Sequence, residues 1–300
     1  MIKRRILIVG CNGLLGQALV ESLSRANNDE LLLASVEDNF VGNSNFPYVQ
    51  LDISKRNEAK KVVLDFFPDI VINAAAYTNV DGCEDNKELA WNINVNGAKY
   101  LVEGCRVVDA KLIHLSTDFI FDGINGPYSE LDKPNPISYY GRTKLGSENE
   151  IKIGGIPFTI VRTNVIYGIQ KGIKKDFVQW VVENLREEKK INVVTDQMNN
   201  PAFVNDLADG IILTIDKKKP GIFNIGGIEL ISRYDFAGKI AEVFDLDKNL
   251  INPILTSQLN QKAKRPLKGG LIILKAQSEL NFKPHTLKEN LKFIKRKLQL

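Results

Sequence analysis

The sequence contains few of the residues that bind metals or form disulfides. Three cysteines and two histidines occur among 300 residues, and their spacings are unlike those of metal sites. An odd number of cysteines with no framework of pairs is typical of a reducing compartment. We therefore expect no metal site, no disulfide bridge and a cytoplasmic location.

Long apolar runs and an excess of one charge are also missing. The run Ile6–Val9 is too short for the core of a signal peptide, and no later run approaches the length that crosses a bilayer. The formal net charge is only +4, and basic residues alternate with acidic ones in stretches such as 183–190. Neither a membrane nor a nucleic acid is therefore expected as a partner.

The first informative stretch is the turn that follows Ile6–Val9. Three glycines, Gly10, Gly13 and Gly16, give the pattern GxxGxxG, and residues 14–24 repeat apolar side chains at helical spacing. A strand, a tight turn and a helix in this order can hold a pyrophosphate on backbone N–H groups; a turn that binds nothing is the alternative. The cofactor contacts expected here are Gly10, Asn12, Gly13, Leu14, Leu15 and Gly16.

Strands and helices alternate through the first half of the chain, and no hairpin signal separates them. This alternation predicts an α/β fold with a Rossmann-type doubly wound parallel sheet. The further strands predicted from apolar, β-favouring runs are 30–36, 48–51, 70–73 and 111–115.

The alternation is lost from about Val165 onwards, which indicates a second, smaller unit. We assign residues 1–165 to the dinucleotide-binding domain and residues 166–300 mainly to a C-terminal substrate-binding lobe. Segments near 203–230 are expected to return to the first domain. Two local predictions are a helix over about 85–108 and Ser54 as the N-cap of a helix that ends at Phe66.

Acidic residues follow the second and third predicted strands. Glu37 can accept hydrogen bonds from the ribose hydroxyls of a dinucleotide and repel a 2′-phosphate. If Ser35 occupies that position instead, this discrimination disappears, so the cofactor is expected to be NADH or NADPH without a choice between them. Asp52, with Ile53 beside it, follows the third strand at the ligand-binding edge and is expected to contact the adenine end of the cofactor.

A tyrosine and a lysine four residues apart are the candidate reacting pair. On a helix, Tyr140 and Lys144 lie about 40° apart and face the same side, whereas Tyr139 and Lys144 do not. The ammonium of Lys144, together with an oxidised nicotinamide in the back reaction, is expected to lower the pKa of the phenol. The Thr117 hydroxyl can orient a substrate carbonyl. His114 lies inside a predicted strand and is interpreted as a packed core residue rather than a catalytic base.

Arg265 is the candidate phosphate ligand of the second half, because a guanidinium can donate to two oxygens at once. An exposed surface arginine is the alternative. The chain shows no internal repeat and no low-complexity tract.

Seven motifs along nearly the whole chain carry a resemblance to a known family. They are GCNGLLG at Gly10, PDIVINAAAYTNVDGCED at 68–85, INVNG at Ile93, STDFIFDG at 116–123, PYSELDKPNPISYYGRTKLGSE at 127–148, VRTNVIYG at Val161 and DQMNNPAFVNDLA at 196–208. With these motifs the chain resembles an extended short-chain dehydrogenase/reductase, and most closely the dTDP-4-dehydrorhamnose reductase family. The resemblance implies NAD(P)H-dependent reduction of the 4-keto group of a nucleotide-linked deoxyhexulose.

The resemblance also implies roles for individual residues and a homodimer formed through the helices that hold Asn94 and Tyr140. The implied catalytic set is Thr117, Tyr140 and Lys144. Cofactor contacts are implied at Ala74, Ala75, Ala76, Tyr77, Asn94, Tyr140, Lys144, Thr163 and Val165. Substrate contacts are implied at Thr117, Asp118, Phe119, Tyr140, Asn164 and Arg265.

Some positions depart from the family pattern. Val165 stands where the rhamnose-forming reductases usually have tryptophan, and Ala202 and Gly269 stand where hydroxyl side chains are usual. These changes should alter the choice of sugar more than the hydride chemistry. Phe119 after Asp118 disfavours the 4,6-dehydratase reaction. A nucleotide-sugar 4-epimerase and a non-catalytic regulatory subunit similar to methionine adenosyltransferase beta remain alternatives.

Overall fold

The structure is a computed structural model that describes residues 3–26, 29–173 and 175–299. Thirteen strands occur within these residues. They are β1 (Arg5–Val9), β2 (Glu30–Ser35), β3 (Tyr48–Gln50), β4 (Ile70–Asn73), β5 (Lys111–Thr117), β6 (Phe158–Thr163), β7 (Ile166–Tyr167), β8 (Ile191–Val194), β9 (Met198–Asn199), β10 (Ala202–Phe203), β11 (Gly221–Asn224), β12 (Ile231–Ser232) and β13 (Ile251–Ile254).

The same residues contain eleven α-helices, three short 3₁₀ turns and one π-helical turn. The helices are α1 (Leu14–Ala26), α2 (Arg56–Phe66), α3 (Val80–Asp85), α4 (Lys87–Trp91), α5 (Gly97–Val108), α6 (Tyr139–Lys152), α7 (Phe177–Arg186), α8 (Val204–Asp216), α9 (Arg233–Val243), α10 (Leu274–Leu280) and α11 (Leu287–Lys297). The 3₁₀ turns are Asp118–Ile120, Lys248–Leu250 and Thr256–Gln258, and the π-helical turn is Asn92–Asn96.

A seven-stranded parallel sheet forms the centre of the larger domain. Its order is β3-β2-β1-β4-β5-β6-β11, and the direction in which strands are added reverses between β1 and β4. Helices cover both faces, which is why β4 is buried along its whole length and consists of apolar residues up to Asn73. The predicted Rossmann-type fold is therefore confirmed, and its ligand cleft is expected at the reversal point.

Two apolar layers enclose this sheet. On one face β1 packs with α1 and α8, and on the other with α2 and α5. Both β11 and α8 lie in the second half of the chain but pack in the larger domain. Helix α10 also packs against α8 and β11, although the sequence-based division placed its residues in the substrate lobe.

The smaller lobe has an apolar core of its own. Side chains of α7, α9 and α11 surround the parallel pair β8 and β13, and Phe236 and Val181 at the centre of this core are almost completely buried. A short antiparallel pair of β9 and β12 leads from this lobe back towards the large sheet.

One of two local predictions was wrong. The helix expected over about 85–108 is present from Lys87 to Val108 as α4, the π-helical turn and α5 without a break, and it differs from a regular helix only where it widens at Asn92–Asn96. Ser54 does not cap α2, which begins at Arg56 after Lys55, because its hydroxyl and N–H both donate to Asp52 Oδ1, at 2.7 and 3.0 Å. By contrast, Ser138 caps α6 and accepts from the N–H of Gly141 at 3.2 Å.

None of the helices in the described ranges combines the length and the apolar character that crossing a bilayer requires.

The glycine turn between β1 and α1 gives a prediction about stability. A Cβ atom at Gly16 would overlap the carbonyl oxygen of Gly10 and lie 2.6 Å from Cα of Cys11, both of which are backbone atoms. Gly16→Ala should therefore lower the free energy of unfolding by about 3 kcal/mol in urea titrations. Gly238→Ala is the matched control, since nothing lies within 4 Å of its Cβ. Within helix α9 it should raise the stability by about 0.5–1 kcal/mol, and equal effects of the two changes would contradict the prediction.

Candidate active site

The glycine turn has a shape that fits a bound phosphate group. Gly10 adopts a φ of +79°, and its Cβ would lie 2.6 Å from the backbone nitrogen of Ala75, so packing alone requires glycine there. Gly13 differs, because its Cβ would meet only the Gly10 carbonyl oxygen, at 3.3 Å. The close approach of a ligand to the backbone explains the glycine at position 13 better than packing does.

Leu14 and Leu15 form the first turn of α1 directly after these glycines. The side chain of Leu15 is buried in the core of the large domain, and that of Leu14 packs against the same core. Leu15 can therefore contact a dinucleotide only through its backbone. Both residues carry backbone N–H groups that have no partner within the helix and can donate to a ligand at its N-terminus.

An acidic side chain lies over the same turn. Asn12 is buried and donates from Nδ2 to Glu37 Oε2 at 3.1 Å, and the Ser35 hydroxyl also donates to this carboxylate. Burial works to raise the pKa of Glu37, but the hydrogen bonds from Ser35, its own N–H and Asn12 lower it overall. Because β2 ends at Ser35, the carboxylate of Glu37 lies beyond the strand, where the predicted ribose contact requires it.

Asp52 and Ile53 follow β3, the strand at one edge of the large sheet. Asp52 accepts hydrogen bonds from Ser54 and lines a groove with Val36, at the edge of the sheet. Ile53 is 5% exposed, and its side chain packs against Gly97. Of the two, only Asp52 presents a polar side chain to a ligand at this edge.

The turn after β4 is held by an asparagine from the π-helical turn. Asn94 is buried, its Oδ1 accepts from the N–H of Tyr77 at 2.7 Å, and its Nδ2 donates to Thr143 Oγ1 at 2.9 Å. An asparagine at this helical position is usually exposed, but here it connects the turn Ala74–Tyr77 to helix α6. Such π-helical turns occur often at functional sites.

The three predicted catalytic residues lie on β5 and α6. Tyr140 and Lys144 occupy the first two turns of α6, and Thr117 is the last residue of β5. The Tyr140 ring packs edge-on against Phe119, with 5.7 Å between the ring centres. Lys144 is 3% exposed and donates from Nζ to the carbonyl oxygen of Leu115 at 2.6 Å. Tyr139 points elsewhere, since its ring lies under the ammonium of Lys87.

Burial shifts the pKa values of both Tyr140 and Lys144. Burial raises the pKa of Tyr140; the Thr117 hydroxyl opposes this rise and the charge of Asp118 adds to it. Burial lowers the pKa of Lys144 to about 8, against the attraction of the Glu148 carboxylate. Lys144 is not among the groups that shift the pKa of the phenol here, so the lowering expected from its ammonium together with an oxidised nicotinamide stays a prediction. Tyr140 carries its proton at neutral pH.

A cavity of about 450 Å³ lies between the two domains at the carboxyl ends of β5 and β6. Val165 lines it, and so do all six predicted substrate contacts, namely Thr117, Asp118, Phe119, Tyr140, Asn164 and Arg265. Burial raises the pKa of Asp118 to about 6. At the end of β6, Thr163 Oγ1 and Asn164 Oδ1 are buried without a hydrogen-bond partner among the described residues. The threonine hydroxyl can therefore donate to or accept from a ligand, and the asparagine oxygen can accept from one.

Comparisons with known proteins identify the family of the chain. The model of the RmlD substrate binding domain family matches residues 4–299. The chain belongs to this family. It is 32% identical over 289 residues, 95% of both chains, to a probable low-salt glycan biosynthesis reductase of Haloferax volcanii.

Two solved structures of dTDP-4-dehydrorhamnose reductases are similar over almost the whole RmlD-family chain. The Clostridium acetobutylicum protein is 33% identical with a TM-score of 0.89 and covers 99% of this chain and 100% of its own. The Bacillus anthracis protein, in complex with NADP, is 29% identical with a TM-score of 0.87, and the coverage is 98% and 99%.

The segments around Ala202 and Gly269, which depart from the pattern that the resemblance implies, have visible structural roles. Asn200 is buried and accepts from the N–H of Leu271 at 2.9 Å, while its Nδ2 donates to the carbonyl oxygen of Gly227 at 2.7 Å. It therefore fastens neighbouring loops to each other. A Cβ at Gly269 would lie 3.1 Å from Asp118 Oδ2, so a serine there would crowd this carboxylate.

Sequence reasoning missed Arg233, which lines the first cavity and a second one of about 820 Å³. Its guanidinium lies over the ring of Phe177, 4.8 Å from the ring centre, and forms no ion pair among the described residues. The only signal in the sequence is its place after a helix-capping serine, Ser232, and that position says nothing of the cavity.

Arg265, the predicted phosphate ligand, already has a partner. Its Nη1 and Nη2 donate to the two carboxylate oxygens of Asp81 at 2.7 and 2.8 Å. Burial lowers the pKa of Arg233 to about 10, opposed by the carboxylate of Asp118, and the charge of Arg265 lowers it further. The guanidinium that is available for an anion in this RmlD-family cavity is therefore that of Arg233.

The two arginines should differ in ligand binding. We expect Arg233→Gln to weaken the binding of dTDP by about tenfold or more, because a charge-assisted hydrogen bond is lost. Arg265→Gln should weaken it less than about threefold but lower the thermal stability, since Asp81 loses its partner. Isothermal titration calorimetry and thermal unfolding measure the two effects. Equal losses of dTDP affinity would contradict the distinction.

Proposed function

We propose that this protein is an NAD(P)H-dependent reductase that acts on the 4-keto group of a nucleotide-linked deoxyhexulose. The observation that carries the proposal is the placement of Tyr140 and Thr117 in one cavity, with Lys144 buried one helical turn behind them. The reductases named among its relatives support reduction over epimerisation, although an epimerase can use the same three residues.

The residues along the carboxyl ends of the strands, from the glycine turn to Thr163, fit a dinucleotide. When it is bound, the dinucleotide supplies a hydride. The glycine turn would hold the pyrophosphate, Glu37 the adenosine ribose, and the turn at Thr163 the nicotinamide end. Gly13 leaves room for a group against the backbone, and Thr163 Oγ1 offers a buried polar atom that has no partner among the described residues.

The proton chemistry follows from the state of Tyr140. A protonated phenol is the form that can donate to the carbonyl oxygen as the carbonyl carbon is reduced. Thr117 can donate a second hydrogen bond to the same oxygen and fix its position. The cationic side chain of Lys144, mostly protonated at neutral pH, stabilises the phenolate that Tyr140 becomes. Each turnover thus removes one proton from Tyr140, which is then replaced from the solvent.

The two neighbouring cavities support a nucleotide-linked substrate. They share Gln197, Arg233 and Gln261, so a ligand can extend from one to the other. Phe177 and Trp180 line the larger cavity and stack on each other with 5.7 Å between ring centres, which suits a planar base. With the sugar at Tyr140 and the base beside these rings, the diphosphate would lie at Arg233.

We propose that the enzyme works in the cytoplasm, on the state of its thiols, and as a homodimer, on the resemblance. Cys11, Cys83 and Cys105 are all free and buried, and burial raises the pKa of each thiol, which suits a reducing cytoplasm. The homodimer expected from the resemblance stays a prediction, which the mass of the purified protein in solution would test.

Turnover of dTDP-4-keto-6-deoxy-L-lyxo-hexulose with consumption of NADH or NADPH tests the proposed reaction. Tyr140→Phe should lower kcat by a factor of about 10² to 10⁴, because the proton donor is lost, and leave the Kd for the cofactor within about twofold. Tyr139→Phe is the matched control and should leave kcat unchanged, since Tyr139 faces away from the cavity.

Two outcomes would contradict this proposal. An unchanged kcat in Tyr140→Phe would remove the phenol from the mechanism. If the wild-type protein bound NADH but consumed none with any 4-keto sugar nucleotide, a regulatory role would be favoured instead.

We further propose that the enzyme prefers NADH, because the carboxylate of Glu37 is fixed over the glycine turn and carries a lowered pKa. A charged carboxylate in this position repels a 2′-phosphate. The ratio of kcat/KM for NADH to that for NADPH should exceed about ten in the wild type and fall several-fold in Glu37→Gln. Asp38→Asn is the control, since Asp38 is engaged with Gln50 and should leave the ratio unchanged. A wild-type preference for NADPH would refute the role of Glu37.

A further inference from the structure

A chain of buried hydrogen bonds connects the turn after β4 with the helix that carries Lys144. Asn73 Nδ2 lies 3.2 Å from His114 Nδ1, and His114 Nε2 lies 2.9 Å from Ser147 Oγ. Ser147 Oγ then donates to the carbonyl oxygen of Lys144 at 2.7 Å. Asn73, His114 and Ser147 are each at most 1% exposed. The chain therefore runs through the core, between two elements that border the site.

The parallel sheet explains why the first two members meet. Asn73 is the last residue of β4 and is aligned with His114 of β5 in the ladder, so their side chains stand on the same face. Ser147 lies on α6, which packs on that face of β5. None of the three touches the substrate cavity.

The donors and acceptors of this chain can be assigned in one direction only. The N–H of Ala75 donates to Asn73 Oδ1 at 3.1 Å, which turns the amide nitrogen of Asn73 towards His114. His114 Nδ1 therefore accepts, and the proton of the neutral ring lies on Nε2. Nε2–H donates to Ser147, whose own proton is directed to the carbonyl oxygen of Lys144.

The ring has to remain neutral for this arrangement to persist. Burial, and then the charge of Lys144, lower the pKa of His114 well below its usual range. Lys144 Nζ is only 3.4 Å from His114 Nε2, and a protonated ring would direct a second N–H at the amide of Asn73. His114 is therefore a fixed donor and acceptor in the core and takes no part in proton transfer at neutral pH.

We propose that His114 is a positioning residue whose two nitrogens have separate tasks: Nδ1 orders the cofactor-binding turn at Ala75 through Asn73, and Nε2 holds the Lys144 segment of α6 through Ser147. This inference rests on the proposed function, in which the Ala75 turn contacts the cofactor and Lys144 stabilises the phenolate. A histidine that only fills the core would show no such division.

Two variants separate the tasks because each keeps one nitrogen's hydrogen bond. In His114→Asn the side-chain oxygen can still accept from Asn73, but the donor to Ser147 is lost. In His114→Gln the amide nitrogen can reach Ser147, but the acceptor for Asn73 is lost. We expect His114→Asn to lower kcat about tenfold with the Kd for NADH changed less than about threefold. His114→Gln should weaken the Kd about tenfold, with kcat at saturating NADH within about twofold.

Ser147→Ala gives an independent check that leaves His114 in place, and it should reproduce the loss of kcat seen in His114→Asn. His285→Gln is the matched control, because the second histidine of the chain bonds to Asp206, remote from the site, and should leave both quantities unchanged. NADH binding is measured by the fluorescence of the nucleotide, and folding by thermal unfolding of each variant.

The proposal is supported if His114→Asn changes only kcat and His114→Gln changes only the Kd for NADH. If both variants leave both quantities within twofold of the wild type, or change them together, His114 is only a packing residue. The Kd measurements do not depend on turnover. If the wild-type protein reduces no keto sugar, the proposed function fails, while the comparison of NADH binding by His114→Gln and His114→Asn still decides the role of Nδ1.

Discussion

The buried ion pair between Glu148 and Arg162 fixes the helix on which the candidate chemistry depends. Glu148 is completely buried on α6, and Arg162 of β6 donates to both of its carboxylate oxygens, at 2.9 and 2.8 Å. The Ser116 hydroxyl of β5 donates to the same carboxylate at 2.7 Å. A buried carboxylate without these partners would cost several kcal/mol, so α6 has one favourable position on the sheet.

Polar contacts of this kind hold α6 along its whole buried face. Thr143, Lys144, Ser147 and Glu148 are all buried, and each has a partner on the sheet or on the helix that contains Asn94. Apolar packing would tolerate a small slide of one helix along another surface, whereas directed hydrogen bonds do not. The position of the Tyr140 phenol in the cavity is thus a consequence of contacts that lie behind it.

The parts of the site that depend only on residues close together in the sequence could be predicted. The strand, glycine turn and helix at the N-terminus follow from apolar spacing and from glycines, and Tyr140 was distinguished from Tyr139 by helical geometry alone. The parts that escaped prediction depend on partners distant in the sequence. Arg265 is bound by Asp81, 184 positions away, and the burial of Asn94 depends on a turn that widens a helix.

Partners that are distant in the sequence also explain why the pKa of Tyr140 is raised in this structure. Spacing on a helix indicates that an ammonium is near a phenol, but the direction of the shift depends on how deeply both are buried and on Asp118, which folding brings beside them. Burial dominates the shift, and Lys144 is not among the groups that contribute to it. The phenol keeps its proton at neutral pH, and a proton is what the oxygen of a reduced carbonyl has to receive.

The charges around the cavity favour a substrate that carries more than a sugar. The charge of Arg265 disfavours the cationic form of Arg233, and of the two only Arg265 has a carboxylate partner in the described chain. Asp118 compensates Arg233 from a distance, but with a pKa of about 6 it is itself disfavoured as an anion by burial. A diphosphate would relieve this imbalance, because it brings negative charge to the guanidinium that lies between the two cavities. A free keto sugar would leave it in place, so the charges of the cavity walls support the proposed nucleotide-linked substrate.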